Sequence, residues 1–330
     1  MSVLKDIAGP LAAMVAVAIV VALTTTNFLD AGNLSNLALQ VSIVAIVAVG
    51  STVVIFTGGI DLSPGSAIAL MTMVFAVAIK TAGLPLPLAI LIVLALGLVL
   101  GAVTGVLTAY LRIPSFITTL AALSAFRGLA FMFNNGSPVF QLSPDLEALF
   151  YGRLLGVPLP LYYVITLYAA AFYCLRYTAM GRSIYAVGGN PSAARLSGID
   201  VRRVQLVAFL VAGLTAALGA VLMAARLNSG TPNYGVGLEL SAIAAAVIGG
   251  ASLAGGRGNI LNTAIGAMTI VIVQNGLNLN AVPTSFQNVI TGTIIVLAVG
   301  VDMWRAELAR LAGLVMRSTP RPSLNPRKET

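Results

Sequence analysis

The sequence predicts an all-α, polytopic membrane protein of about ten transmembrane helices, arranged as two halves of five with both termini in the cytoplasm. Three observations predict it. The 330 residues are 58% hydrophobic and only 8% charged, with a mean hydropathy of +0.99, whereas a soluble domain carries about 25% charged residues because its surface faces water. Apolar runs of about 20 residues, the length that spans a bilayer core of about 30 Å, recur along the whole chain. The basic residues cluster in alternate connections between those runs, as lipid-spanning chains require.

The first run, from Ile7 to Leu23, is longer than a signal-peptide core of about 7–15 residues and has Lys5 as its only basic flank. It is read as a retained first span, Ile7–Thr26. Leu37–Phe56 follows and is stopped by Gly58 and Gly59, since glycine tolerates the left-handed conformation at a helix end. Ser63 and Pro64 read as the N-cap and first helical position of a short third span, Pro64–Ile79. Leu86–Tyr110 and Ser115–Phe133 complete the first half, and a polar interval, 134–158, is assigned to the outer face. The second half comprises Leu159–Tyr177, Val204–Ala225, Leu240–Leu253, Ile260–Gly276 and Phe286–Met303. Residues 1–304 thus form one membrane domain with a cytoplasmic loop at 178–203. The Pro-rich, basic stretch 305–330 reads as a disordered cytoplasmic tail.

Orientation rests on lysine and arginine. Fourteen of the 18 basic residues fall in the segments assigned to the inside, among them Arg112, Arg176, Arg182, Arg195, Arg202, Arg203 and Arg257. Lys80, Arg153 and Arg226 fall outside, and Arg127 falls within a span. This bias predicts an even number of spans with both ends inside.

Several motifs interrupt the apolar pattern. In "TGGIDLSPGS", Asp61 precedes a helix N-terminus, where the macrodipole favours an anion by about 0.3–1 kcal/mol. A second reading places this break beside a solute path or a subunit seam, because carboxylates near membrane depth are costly. "VIGGASLAGGRGN" makes a second break at Gly249 and Gly250. The third and eighth spans are the two shortest, each third in its half, and short glycine-interrupted spans at matching positions point to a transport pathway. In the long cytoplasmic stretch, Asn190 reads as an N-cap, Pro191 as the first helical residue and Gly198 as the helix end. The two-turn helix between them, Ser192, Ala193, Ala194, Arg195 and Leu196, is too short to persist alone and implies a docking partner. Arg127 lies about 12 residues, roughly 18 Å, into the fifth span, with Glu239 as one possible partner. Asn134, Asn135, Asn275, Asn278 and Asn280 lie toward the outer face, where amides suit hydroxyl recognition.

What is missing narrows the class. There is no histidine and a single cysteine, Cys174, which removes His-based triads, a cysteine metal cluster and an internal disulfide. No metal site and no resident cofactor are expected. No lysine stands in a phosphate-binding G-x-x-x-x-G-K-[ST] context, so the chain is not its own ATPase. The net charge of +8 is scattered between apolar runs rather than gathered on one face, so membrane lipid, not nucleic acid, is the expected contact.

"TGGIDLSPGSAIAL", "FRGLAFMFNNGSPV", "GRSIYAVGGNPSAARLSGIDVRRVQ", "ARLNSGTP" and "AAAVIGGASLAGGRGNILNTAIGA" together resemble the ribose/xylose/arabinose-type permeases of bacterial ABC importers. The resemblance runs from about Asn33 to Asp302. It implies a permease domain in the bacterial inner membrane, paired with a second copy or a paralogue. Below it would sit two ATP-binding subunits, which use ATP and Mg2+, and above it a periplasmic sugar-binding protein. It makes Asn190–Gly198 similar to the coupling helix that docks on the ATPase. The helix breaks, buried charges and outer amides make Gly58, Gly59, Asp61, Ser63, Arg127, Asn134, Asn135, Glu239, Gly249, Gly250, Asn275 and Asn278 the candidates for the path or its gate. The expected solute is a monosaccharide such as ribose or xylose. A secondary transporter or facilitator, moving a small polar solute without nucleotide, is the competing expectation.

Overall fold

A computed structural model describes residues 2–297 and 299–300. The expected tail, 305–330, and the far end of the tenth expected span lie outside the described residues. Ten apolar helices occupy the places of the ten expected spans. Seven are long and apolar enough to cross a membrane: α1 (Ser2–Thr24), α2 (Ala31–Phe56), α4 (Leu86–Ala109), α5 (Ser115–Met132), α7 (Leu159–Tyr177), α10 (Val201–Leu227) and α12 (Ile260–Leu279). Three are shorter: α3 (Pro64–Lys80), α11 (Leu238–Ile248) and α13 (Thr284–Leu297). Three small polar-region helices complete the set, α6 (Pro144–Tyr151), α8 (Ala179–Gly189) and α9 (Pro191–Leu196).

The core is built around α2, whose residues from Val41 to Phe56 are all buried. It is enclosed by α10, α11, α12 and α7, and α10 packs in turn against α3 and α4. In lipid there is no hydrophobic drive between helices, so small residues that permit close approach decide which faces meet. Gly97, Gly101 and Gly105 recur every fourth residue on α4, and Gly213 of α10 lies backbone to backbone against Gly97 and Gly101. A side chain at Gly101 would run into the carbonyl of Phe209. α1 is peripheral, packed on α12, with Leu23 and Val20 exposed to what would be lipid.

The polar interval 134–158 is more ordered than its composition suggests. Strand β1 (Val139–Phe140) pairs antiparallel with β4 (Ser229–Gly230), after α10, and β2 (Arg153–Leu154) pairs with β3 (Val157–Pro158). Asn228, left-handed at φ 43°, ties the interval to the end of α10. Its side-chain oxygen accepts from the backbone N–H groups of Leu142 (2.8 Å) and Ser143 (3.1 Å), and its amide donates to Glu147 (2.7 Å).

Two boundaries differ from expectation. The span expected at Leu240–Leu253 is only the 11-residue α11, ended at Gly249 and followed by an irregular loop to Asn259. The break at Thr57–Ser66, expected at the cytoplasmic surface, penetrates the protein. Gly58 sits against Ala254 and Gly255. From Gly59 to Ser63 the chain then turns inward without helix. Asp61, Ser63 and Pro64 line a cavity of about 10 Å³ with Ala212, Gly213 and Ala216 of α10. Those residues lie near the midpoint of α10, a helix of about 40 Å at 1.5 Å per residue. α3 therefore begins inside the bundle.

Candidate functional site

Non-helical backbone at membrane depth survives only where protein groups replace water as hydrogen-bond partners. In the 57–63 segment the partners are visible. The Ile60 N–H donates to Ser115 Oγ at 3.1 Å, and Thr119 Oγ1 donates toward the Ile60 carbonyl at 3.2 Å, both from the first turns of α5. Asp61, 4% exposed, accepts at one oxygen from the Ser63 N–H (2.9 Å) and the Ser63 hydroxyl (2.6 Å). Ser63 occupies the N-cap position expected of it, but its hydroxyl does not cap α3. It donates instead to an Asp61 carboxyl oxygen. Asp61 is thus the internal partner of its own turn.

Arg127 answers the complementary problem one loop away. Its guanidinium donates to the carbonyls of Pro232 and, at 2.8 Å, Tyr234. Those carbonyls belong to the 229–237 segment, which leads from β4 into α11. Glu239, one partner that the sequence offers Arg127, does not form an ion pair with it. Glu239 instead accepts from the Gly237 N–H at 3.3 Å, while its second oxygen is buried without a hydrogen-bond partner and lies over Gly65. The planar, multi-donor guanidinium suits two adjacent carbonyls.

The two irregular segments meet. Gly65, in the first turn of α3, and Gly235, just before α11, are in backbone contact, each leaving no room for a side chain on the other. The N-terminal ends of two short helices, α3 of 17 residues and α11 of 11, consequently converge with the Glu239 carboxylate beside both. At about 25 and 16 Å neither helix matches a 30 Å hydrocarbon core. Half-helices with glycine-rich approaches that face one another inside a bundle are the architecture of transporter sites.

The short helix α9 has the geometry expected for Asn190–Gly198. Asn190 Oδ1 accepts from the N–H groups of Ser192 (3.1 Å) and Ala193 (3.0 Å), Pro191 opens the helix and Gly198 closes it at φ 82°. Ala194 is buried against the rest of the chain, whereas Leu196 is 91% exposed and Arg195 stands beside it. α8 packs against this helix, and the 255–258 loop packs in turn on α8 and the end of α2. Gly256 N–H donates to the Phe56 carbonyl at 3.0 Å, the Tyr185 and Phe56 rings pack 4.9 Å apart, and the Tyr185 hydroxyl donates to the Gly258 carbonyl at 3.2 Å. Burial pushes the Tyr185 phenol up to about 12 against the opposing pull of Arg176, so it remains a donor.

Other predicted residues scatter. Asn134 and Asn135 are exposed and left-handed in a short 3-10 turn, Phe133–Gly136, where Asn134 donates to the Ser137 carbonyl. Asn275 is buried and exchanges two hydrogen bonds with Asn33, at 3.0 and 2.8 Å, so its amide staples α12 to α2. Asn278 accepts from Gln287, Asn280 donates to the Gly276 carbonyl, and Gly249 packs on the Asn262 backbone. None of these adjoins the α3–α11 contact. Ser115, Thr119, Gly65 and Gly235 were missed by sequence reasoning. The Ser115–Thr119 spacing puts both hydroxyls on one helix face, but nothing local names the strand of chain they serve.

Residues 33–299 match the family described as branched-chain amino acid transport system / permease component. The chain belongs to this permease family. It is 45% identical over 298 residues to the ribose import permease protein RbsC of Escherichia coli K12, covering 88% of this chain and 92% of that protein. It is 40% identical over 296 residues to the ribose import permease protein RbsC of Bacillus subtilis 168 (89% and 92%). It is 35% identical over 354 aligned positions to the xylose transport system permease protein XylH of Escherichia coli K12 (88% and 90%). No solved structure matches it. The sugar-permease resemblance read from the sequence is borne out, and the permease is an integral membrane protein.

Proposed function

We propose that this permease is the membrane-spanning subunit of an ATP-driven importer for a monosaccharide of the ribose or xylose kind, in the bacterial inner membrane. The observation that carries this reading is the 45% identity to a ribose import permease over nearly the full length of both proteins. The geometry supports it in two places. The convergence of α3 and α11 at Gly65 and Gly235 provides a closed crossing between two half-helices, suited to opening and resealing. The capped helix α9, with Leu196 exposed, has the form of a docking lever for a separate ATPase. ATP and Mg2+ act on that partner, a periplasmic binding protein delivers the sugar, and a second copy or paralogue completes the path. The termini and the 178–203 loop face the cytoplasm, and 134–158 faces the periplasm.

Reconstitution with the ATPase and binding protein is the test. Ribose should accumulate in vesicles only with hydrolysable ATP. Equal uptake by the permease alone, without nucleotide, would show a facilitator instead.

A further inference from the structure

A cavity of about 670 Å³ has no lining residue in the α3–α11 crossing and so lies apart from the proposed solute path. It lies where α7 ends and α12 begins, and three arginines, Arg176, Arg182 and Arg257, line it. Its wall is apolar, with Phe172 and Leu175 from the last turns of α7. No carboxylate lines it, and among the described residues none of the three arginine side chains has a carboxylate or hydrogen-bond partner. Three like charges around one concavity repel one another unless an anion sits between them, and guanidiniums grip phosphate through paired N–H groups.

The surroundings identify the source of that phosphate. The cavity is level with the ends of two membrane helices, where head groups lie. Tyr173 and Tyr177, each 62% exposed on the last turns of α7, form the kind of aromatic girdle that marks a membrane interface. None of the residues of α9, the proposed ATPase contact, lines it. We propose that Arg176, Arg182 and Arg257 bind the phosphate head group of an anionic phospholipid whose chains run along the Phe172 face of α7. Basic pockets between membrane helices on the cytoplasmic side have the right chemistry for such head groups. The inference needs the chain to lie in a bilayer and is independent of which solute it carries.

Native mass spectrometry of the full-length permease, titrated with phosphatidylglycerol or phosphatidylcholine, tests it. The triple variant Arg176→Gln, Arg182→Gln, Arg257→Gln should bind phosphatidylglycerol about a hundredfold more weakly, roughly fivefold per guanidinium, with phosphatidylcholine binding unchanged. The triple arginine-to-lysine variant should retain most of the binding, and Arg226→Gln, at the opposite end of α10, should retain all of it. Helix content by circular dichroism reports whether each variant is folded, and if the triple variant is not, the three single variants are titrated instead. Unchanged phosphatidylglycerol binding, or equal loss for both lipids, overturns the proposal. So does full displacement by inorganic phosphate with no preference for the lipid, which would indicate a free-anion site. Loss of ATPase association without loss of lipid binding would make the cavity a protein-docking site and likewise overturn it.

Discussion

Asp61 and Arg127 are the two charges that a lipid-embedded chain would be expected to avoid, and both are explained by the backbone they serve. Asp61 accepts the Ser63 N–H, and Arg127 donates to the Pro232 and Tyr234 carbonyls. What matters at Asp61 is then an acceptor oxygen more than a charge. Asp61→Asn keeps that oxygen and should melt close to the wild type, whereas Asp61→Leu should lose about 1–3 kcal/mol, the cost of an unsatisfied buried N–H. Thermal unfolding in detergent separates the two, and equal melting temperatures for both variants would remove the role. Arg127→Leu strands two carbonyls at once, so the 229–237 segment should become accessible to proteolysis while the helices stay folded.

Among elements, the junction of α3 with α11 and the short helix α9 carry the mechanism. A methyl group at Gly65 would meet the Gly235 carbonyl and the Glu239 carboxylate. Gly65→Ala is therefore expected to cost about 1–3 kcal/mol through overpacking and to cut sugar uptake by tenfold or more while the protein still inserts. Gly32→Ala, in the first turn of α2 with open space around it, is the control and should be neutral. At α9, Pro191→Gly with Arg195→Glu should abolish ATP-driven uptake without affecting insertion, because the lever loses both its preset first turn and its charge. Normal uptake by that double variant in reconstituted vesicles would dissociate α9 from coupling.

For the whole molecule, the prediction is directional. Cys174 is the only cysteine and is exposed, so it is first replaced by serine. In that background Ser192→Cys, on α9, should react with a membrane-impermeant maleimide only from the cytoplasmic side, and Ser137→Cys only from outside. Both positions are exposed, so burial does not confound the readout. Labelling of both from one side would refute the proposed topology. The fold tolerates this arrangement because α2 and α10 supply a rigid, glycine-knit centre, leaving α1 and the outer faces of α4, α5 and α7 to lipid.

Much of this protein was legible without coordinates. Among the described residues each apolar run holds an apolar helix, although the eighth helix is shorter than its run and the tenth run extends beyond those residues. Asn190 and Pro191 open α9, which ends at Leu196 shortly before Gly198, because lipid thickness and helix capping are local rules. Asp61, Arg127 and Glu239 were singled out, yet their partners were not. Asp61 turned out to close its own turn, and Arg127 donates to carbonyls rather than to Glu239. What the sequence determined by itself is the solvent, the elements and the chemical class. Only the tertiary structure decided how deep the 57–63 break penetrates and that α3, which follows it, meets the 229–237 segment at Gly65 and Gly235, for the depth of an irregular segment depends on distant side chains, such as Ser115 and Thr119, that stand in for water.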